Sequence, residues 1–290
     1  MLEMWGLGGL KAKKLSSRVW IEINEDEVFG RAAQLAYYFL LALFPLLLFL
    51  MTLLGYFAGA GSQLRDSLIS YLSTVMPGTA LQLVQSTLEE VSKARGGGKL
   101  SFGILAALWA ASNGMGAISE TLNIAFDVKE RRPWWKVRLV SMGLTISLAL
   151  LIISALVIVL YGGKIADFVA TASGFSSVFA ITWKVLQWPI ALAFLFTTFS
   201  MIYYFAPDLR KRKWRWITPG SLTAVVLWLL ISFALRIYLH FFNSYSATYG
   251  SLGALIILML WFYLTGVAIL VGGEVNAEIE KAARSVGEAV

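Results

Sequence analysis

The feature that most constrains this chain is a series of long, nearly uninterrupted apolar runs. A helix needs about 20 mainly apolar residues to cross hydrocarbon, because each residue rises ~1.5 Å and only an internally hydrogen-bonded backbone is tolerated there. Five runs meet that requirement, from Leu35 to Phe57, Leu139 to Tyr161, Val185 to Phe205, Ile217 to Leu239 and Leu252 to Val271. A sixth, Phe102 to Ala125, is interrupted by Ser112, Asn113, Ser119, Glu120 and Asn123. With 58% hydrophobic and 14% charged residues, the chain is too apolar for one water-soluble core, for which roughly 25% charged residues is usual. The absence of cysteine excludes a disulfide-stapled fold, thiol catalysis and thiolate metal sites.

The sixth run is decided by charge, since Lys and Arg in short loops near span ends set orientation. The N-terminal arm holds five basic residues (Lys11, Lys13, Lys14, Arg18, Arg31), the Lys129 to Arg138 loop five, the Arg210 to Arg215 loop five, and the C-terminal tail two (Lys281, Arg284). The alternate connections hold four between Arg65 and Lys99, one (Lys164) in the next, and none between His240 and Gly250. Six crossings put every basic cluster on one side, whereas five would send the N-terminal arm to the other. The expected fold is all-α, a polytopic membrane protein with six transmembrane helices, both termini cytoplasmic and an external amphipathic helical hairpin between helices 1 and 2. Its expected parts are a cytoplasmic amphipathic arm over 1–30, a membrane domain over 31–279 with the hairpin at 61–99, and a cytoplasmic tail over 280–290.

Within the arm, Leu10 to Ile23 is basic and amphipathic and lacks the apolar core of a cleaved signal. It is expected on the membrane surface, with Lys11, Lys13, Lys14 and Arg18 toward headgroups and Leu15, Val19, Trp20 and Ile23 inward. Asn24 followed by Glu27 resembles a capping pair that starts the first span. The hairpin is read from Leu64, Leu68, Tyr71 and Val75, then Leu81, Val84, Leu88 and Val91, at three- or four-residue spacing around Pro77-Gly78. Gly96 to Lys99 lacks the spacing and preceding strand of a phosphate loop and reads as a linker.

The net charge of +7 raises nucleic-acid binding. However, the basic clusters are juxtamembrane and interleaved with Trp134, Trp135, Trp214 and Trp216, an interfacial belt opposite Trp183 and Trp188. Positive-inside orientation accounts for the surplus, and no nucleic-acid partner is expected. His240 is the only histidine, and no two acids are closely spaced inside a span, so no catalytic residue, metal or cofactor is expected. Glu274, Glu278 and Glu280 offer weak cation binding, against which stands simple pairing with the basic loops or Arg31.

Polar groups in the spans remain, because charge at mid-bilayer is costly and seldom left facing lipid. Asn113, Gly116, Glu120 and Asn123 recur along one helix face, expected to point into the bundle or a wet cavity. Interhelical hydrogen bonding is one account. A permeation or headgroup site is the other, with Glu120 alternatively pairing with Arg131, Arg132 or Arg138. Lys184 and Gln187, with Arg236 and His240, fall toward the outer end, where they either snorkel or attract an anionic group. The candidate substrate-binding set is therefore Asn113, Glu120, Asn123, Lys184, Gln187 and Arg236. Pro45 and Pro189 are expected to kink their helices, and Gly55 and Gly59 form a GxxxG pair.

Several segments resemble the bacterial YihY/BrkB membrane family. They are Arg31-Ala32-Ala33-Gln34-Leu35-Ala36-Tyr37-Tyr38 leading to Ala42-Leu43-Phe44-Pro45, Trp109 to Asn123 followed by Arg131-Arg132, and Tyr203-Tyr204-Phe205-Ala206-Pro207 with Pro219-Gly220. Two more are Tyr249-Gly250-Ser251-Leu252-Gly253-Ala254 and, most specific, Gly272-Gly273-Glu274-Val275-Asn276-Ala277. The resemblance covers about Val28 to Ile279 and implies a six-helix inner-membrane protein. It also implies a link to serum resistance and to export of envelope lipid precursors, with a legacy ribonuclease BN label for which the sequence offers no metal cluster. Three functions follow as expectations. One is moving or binding an anionic lipid or other envelope amphiphile, such as a phospholipid or lipid A precursor. The others are a non-transporting scaffold for envelope assembly and, least supported, a ribonuclease.

Overall fold

A computed structural model describes residues 7–57, 70, 98–173, 177–209, 214–241 and 251–287. Among these residues the chain is helical. A 3-10 turn, Leu7–Gly9, precedes α1 (Ala12–Glu25), α2 (Val28–Phe57), α3 (Gly98–Ala125), α4 (Trp134–Ser173), α5 (Ser177–Phe205), α6 (Pro219–Phe241) and α7 (Ser251–Gly287). The expected hairpin at 61–99 lies outside the described residues apart from Ser70, Gly98 and Lys99, and the last two already belong to α3. Gly59 also lies outside them, while Pro45 and Pro189 fall within α2 and α5 as those helices are assigned.

In α1, Leu15, Val19 and Ile23 stand at four-residue spacing and are buried, with Lys11, Lys13 and Lys14 exposed. Their stripe packs on α7, as does the preceding turn, where a Cβ on Gly8 would lie 2.7 Å from the Ile279 carbonyl oxygen. The arm thus covers the end of its own bundle with side chains expected in the membrane surface, because α7 continues past its apolar run and offers a drier partner. Asn24 is not a cap. It lies inside α1 and donates from Nδ2 to the Trp20 carbonyl at 2.6 Å, and α2 begins only after Glu27, whose φ is 51.

Helix α2 packs on α3 and α7, α3 on α4, α4 on α5, and α6 on α7. Leu35, Leu122, Leu270, Ile279, Val28 and Val225 are fully enclosed between them. The tightest crossing joins α5, α6 and α7. The Gly220 amide donates to Asn276 Oδ1 at 2.9 Å and the Tyr203 hydroxyl to the Ile269 carbonyl at 2.7 Å. A Cβ on Gly272 would sit 2.6 Å from the Gly220 carbonyl, so the two helices touch backbone to backbone. Thr218 and Ser221 cap α6 reciprocally, each amide donating to the other's hydroxyl at 2.8 and 3.0 Å.

The outside of the bundle is apolar. Only 11% of the most apolar part of α6 is buried within the protein, and Leu230 and Phe233 stand outward. Surface of that kind fits hydrocarbon and not water. Four described stretches are long and apolar enough to cross a membrane: Trp134–Ala155, Val185–Phe205, Pro219–Leu239 and Leu255–Arg284. Val28–Leu43 in α2 is a shorter apolar stretch, and α3 carries the polar residues noted above.

Candidate functional site

The starts of α2, α4 and α6 meet the ends of α3, α5 and α7 at one end of the bundle, where its polar groups converge. At the α3–α4 connection, Glu130 accepts from Arg132 Nε at 2.8 Å and Nη2 at 2.6 Å, and from Asn123 Nδ2 at 2.9 Å. The same Nη2 reaches the Ala206 carbonyl at 2.8 Å and Ser119 Oγ at 3.2 Å, and the Asp208 amide donates to Asn123 Oδ1 at 2.7 Å. This fork ties the end of α5 to the loop after α3. The Arg132 hydrogen bonds hold the Glu130 carboxyl at about 2, against burial that acts to raise it. Glu130 in turn holds the Arg132 pKa up.

Beside it lies an acid-rich junction of α1, α2, α3 and α7. The α3 end closes with the Val128 amide on the Asn123 carbonyl at 2.8 Å, presenting Asp127 at φ 51. Lys281 Nζ then sits 2.5 Å from Asp127, 3.4 Å from Glu278 and 3.5 Å from Glu22. Arg18 pairs with Glu278 at 3.8 Å and Arg284 with Glu280 at 2.6 Å, so these two tail acids do pair with bases. Glu274 does not. It is 1% exposed, Oε2 has no N–H or hydroxyl donor among the described residues, and a carboxylate oxygen of each of Glu22, Asp26 and Glu274 lies within 4.8 Å of the others. Arg31 donates from Nε to the Asp26 carbonyl at 2.6 Å. Burial, then the charges of Asp127 and Glu22, raise the Asp26 carboxyl above its ordinary value.

A third group faces outward between α3 and α4. The Arg138 guanidinium stacks 3.8 Å from the Trp109 ring centroid, donates from Nη1 to Asn113 Oδ1 at 2.8 Å and from Nη2 to the Trp109 carbonyl. Its Nε is buried without a partner among the described residues. The Trp109 and Trp134 rings are 5.7 Å apart, and both are exposed with Leu105 and Leu139.

These contacts separate the residues singled out from sequence. Asn113 joins Arg138 on an exposed surface, and Glu120 is exposed too, so their helix face is not turned wholly into the bundle. Arg132 and Arg138 bind Glu130 and Asn113, not Glu120. Asn123 is buried in the α3–α5 tie. Gln187 is half-buried on α5 and Arg236 exposed on α6, while the Lys184 side chain lies outside the described residues. Sequence reasoning missed the assembly of Glu22 and Asp26 with Glu274. Their four-residue spacing puts Glu22 and Asp26 together, but nothing in sequence links them to a residue about 250 positions later.

A family model described as virulence factor BrkB matches residues 19–289. The chain belongs to the BrkB family. A BrkB-type relative, the protein of Bacillus subtilis (strain 168) named ribonuclease-like protein YfkH, is 41% identical over 93% of this chain and 94% of its own length. UPF0761 membrane proteins of Xanthomonas oryzae pv. oryzae (strain PXO99A) and Xanthomonas axonopodis pv. citri (strain 306) are 29% and 28% identical over 90% of this chain. The chain spans 59% and 60% of the length of those two BrkB-family relatives. No solved structure matches it significantly. The BrkB family assignment, the UPF0761 membrane proteins and the four apolar stretches agree that this is a membrane protein of helical build.

Proposed function

We propose that this protein is a six-crossing bacterial inner-membrane protein, both termini cytoplasmic, that binds and moves an anionic lipid or another anionic envelope amphiphile. The observation that carries the reading is Arg138. It stands one turn into α4, four residues after Trp134, where the basic loop meets the apolar run, and it reaches across to Asn113 on α3. A guanidinium at that boundary stands where anionic headgroups lie. Its Nε is unpartnered, its face is packed on Trp109, and the surface around it is aromatic and aliphatic. That combination fits a phosphate headgroup at the cation and acyl chains along the exposed tryptophans and leucines. Of the six sequence candidates, Asn113 belongs to this site. Glu120, Lys184, Gln187 and Arg236 are proposed as further points along a polar route, whereas Asn123 has a structural partner set. That set is what favours the second reading, a scaffold whose polar groups serve only to tie helices.

Reconstitution separates the two. Protein in liposomes is expected to bring labelled phosphatidylglycerol or lipid A precursor across the bilayer faster than empty liposomes, with phosphatidylcholine slower. Arg138→Ala should cut the anionic rate roughly tenfold, matching the loss of one charge-assisted fork. Rates equal to empty liposomes for every lipid would leave the scaffold.

A further inference from the structure

The acid group of Glu22, Asp26 and Glu274 stands apart from the proposed lipid site at Arg138, and sequence reasoning expected no metal. We propose that it binds one hard divalent cation of the magnesium, manganese or calcium class, which clamps the α1–α2 corner onto α7. Hard cations hold carboxylate oxygens at 2.0–2.6 Å, so ligands on one ion lie roughly 3–5 Å apart. The three carboxylates offer oxygens within 4.8 Å of one another, and the set contains no nitrogen or sulfur donor, which selects against softer metals.

The second observation is the state of the buried acid. Glu274 is 1% exposed, and its Oε2 and the Asp26 Oδ2 are both enclosed with no N–H or hydroxyl donor among the described residues, each carboxyl having the other as its polar neighbour. A buried carboxylate left that way is strongly unfavourable, so the arrangement calls for a positive partner. The neighbouring bases are committed elsewhere. Lys281 is divided among Asp127, Glu278 and Glu22, Arg18 meets Glu278, and Arg31 meets the Asp26 backbone carbonyl. Five carboxylates therefore crowd three cations, and among the described residues none of the three comes within salt-bridge distance of the Asp26 or Glu274 side chain. The ion would join α1 at Glu22, the α1–α2 corner at Asp26 and α7 at Glu274, which makes α1 a ligand-dependent cap on the bundle.

The purified full chain in lipid nanodiscs, stripped with chelator, is to be titrated with Mn2+ and followed by electron paramagnetic resonance. About one Mn2+ per chain is expected below about 1 mM, displaced by Mg2+ or Ca2+, with a rise in melting temperature on binding. Glu274→Gln and Asp26→Asn should each weaken binding roughly tenfold or more, and Glu280→Gln, which alters only the surface pair with Arg284, should not. If Glu274→Gln fails to fold, Glu22→Gln and the wild-type stoichiometry decide. No saturable binding overturns the proposal, as does binding retained in both Glu274→Gln and Asp26→Asn. A melting temperature that responds to pH but not to cation also overturns it, because Asp26 and Glu274 then share a proton instead of a metal.

Discussion

Glu130 and Arg132 are two residues apart and would be an ordinary loop pair, were it not that Arg132 also caps the end of α5 at Ala206. The pair gains by being partly enclosed and by sharing its oxygens with Asn123, and the result is a Glu130 carboxyl held at about 2 instead of 4.5. A group whose folded pKa is depressed contributes its stability above the unfolded value and loses it as pH falls through the folded one. Glu130→Gln should therefore lower stability by about 1 kcal/mol at pH 7, a figure kept small because Glu130 remains partly exposed. The gap between wild type and variant should narrow from about pH 4.5 toward pH 2. Denaturant unfolding in detergent at pH 7 and pH 3 measures it, and a gap of constant size would assign the effect to packing. Sequence reasoning had noticed Asn123 and the Arg131-Arg132 pair but not Glu130, which joins Asn123 to Arg132, nor the ties to Ala206 and Asp208 some 80 residues away.

Elements were legible to the extent that their partners were the bilayer. The long runs of α4, α5, α6 and α7 stand where their apolar content placed them, since lipid asks only for length and hydrophobicity. The choice between lipid and protein as a partner was not legible, because Leu15, Val19 and Ile23 satisfy either with the same stripe. The structure resolves α1 as a cap on α7, and its energetics follow from enclosed side chains. Truncating one such aliphatic side chain costs about 2–5 kcal/mol. Leu15→Ala with Ile23→Ala should thus release α1, seen as rapid trypsin cleavage between Lys11 and Arg18 in nanodiscs, while α2–α7 stay protected. An arm lying on the membrane surface would respond to lipid charge instead, and cleavage that depends on anionic lipid but not on these two substitutions would restore that reading.

For the whole molecule, the polar end limits how many times the chain can cross. Lys281 joins the end of α1 at Glu22 to the end of α3 at Asp127, so both flanks of the α2–α3 pair lie on one side. On the proposed reading that pair crosses twice or not at all, which makes six crossings or four. On the proposed orientation the α4–α7 part is the same in both cases, so labels there cannot separate them. The segment between α2 and α3 can, because it changes sides. With no native cysteine, single replacements report position without background. Ser17→Cys and Ser285→Cys should resist a membrane-impermeant maleimide in intact cells, and Ser244→Cys should react. Ser86→Cys decides. Reaction from outside means that the interrupted apolar run of α3 crosses in company with α2. Protection of Ser86→Cys would leave α2 and α3 re-entrant from the cytoplasmic side, and the six-crossing reading would be lost.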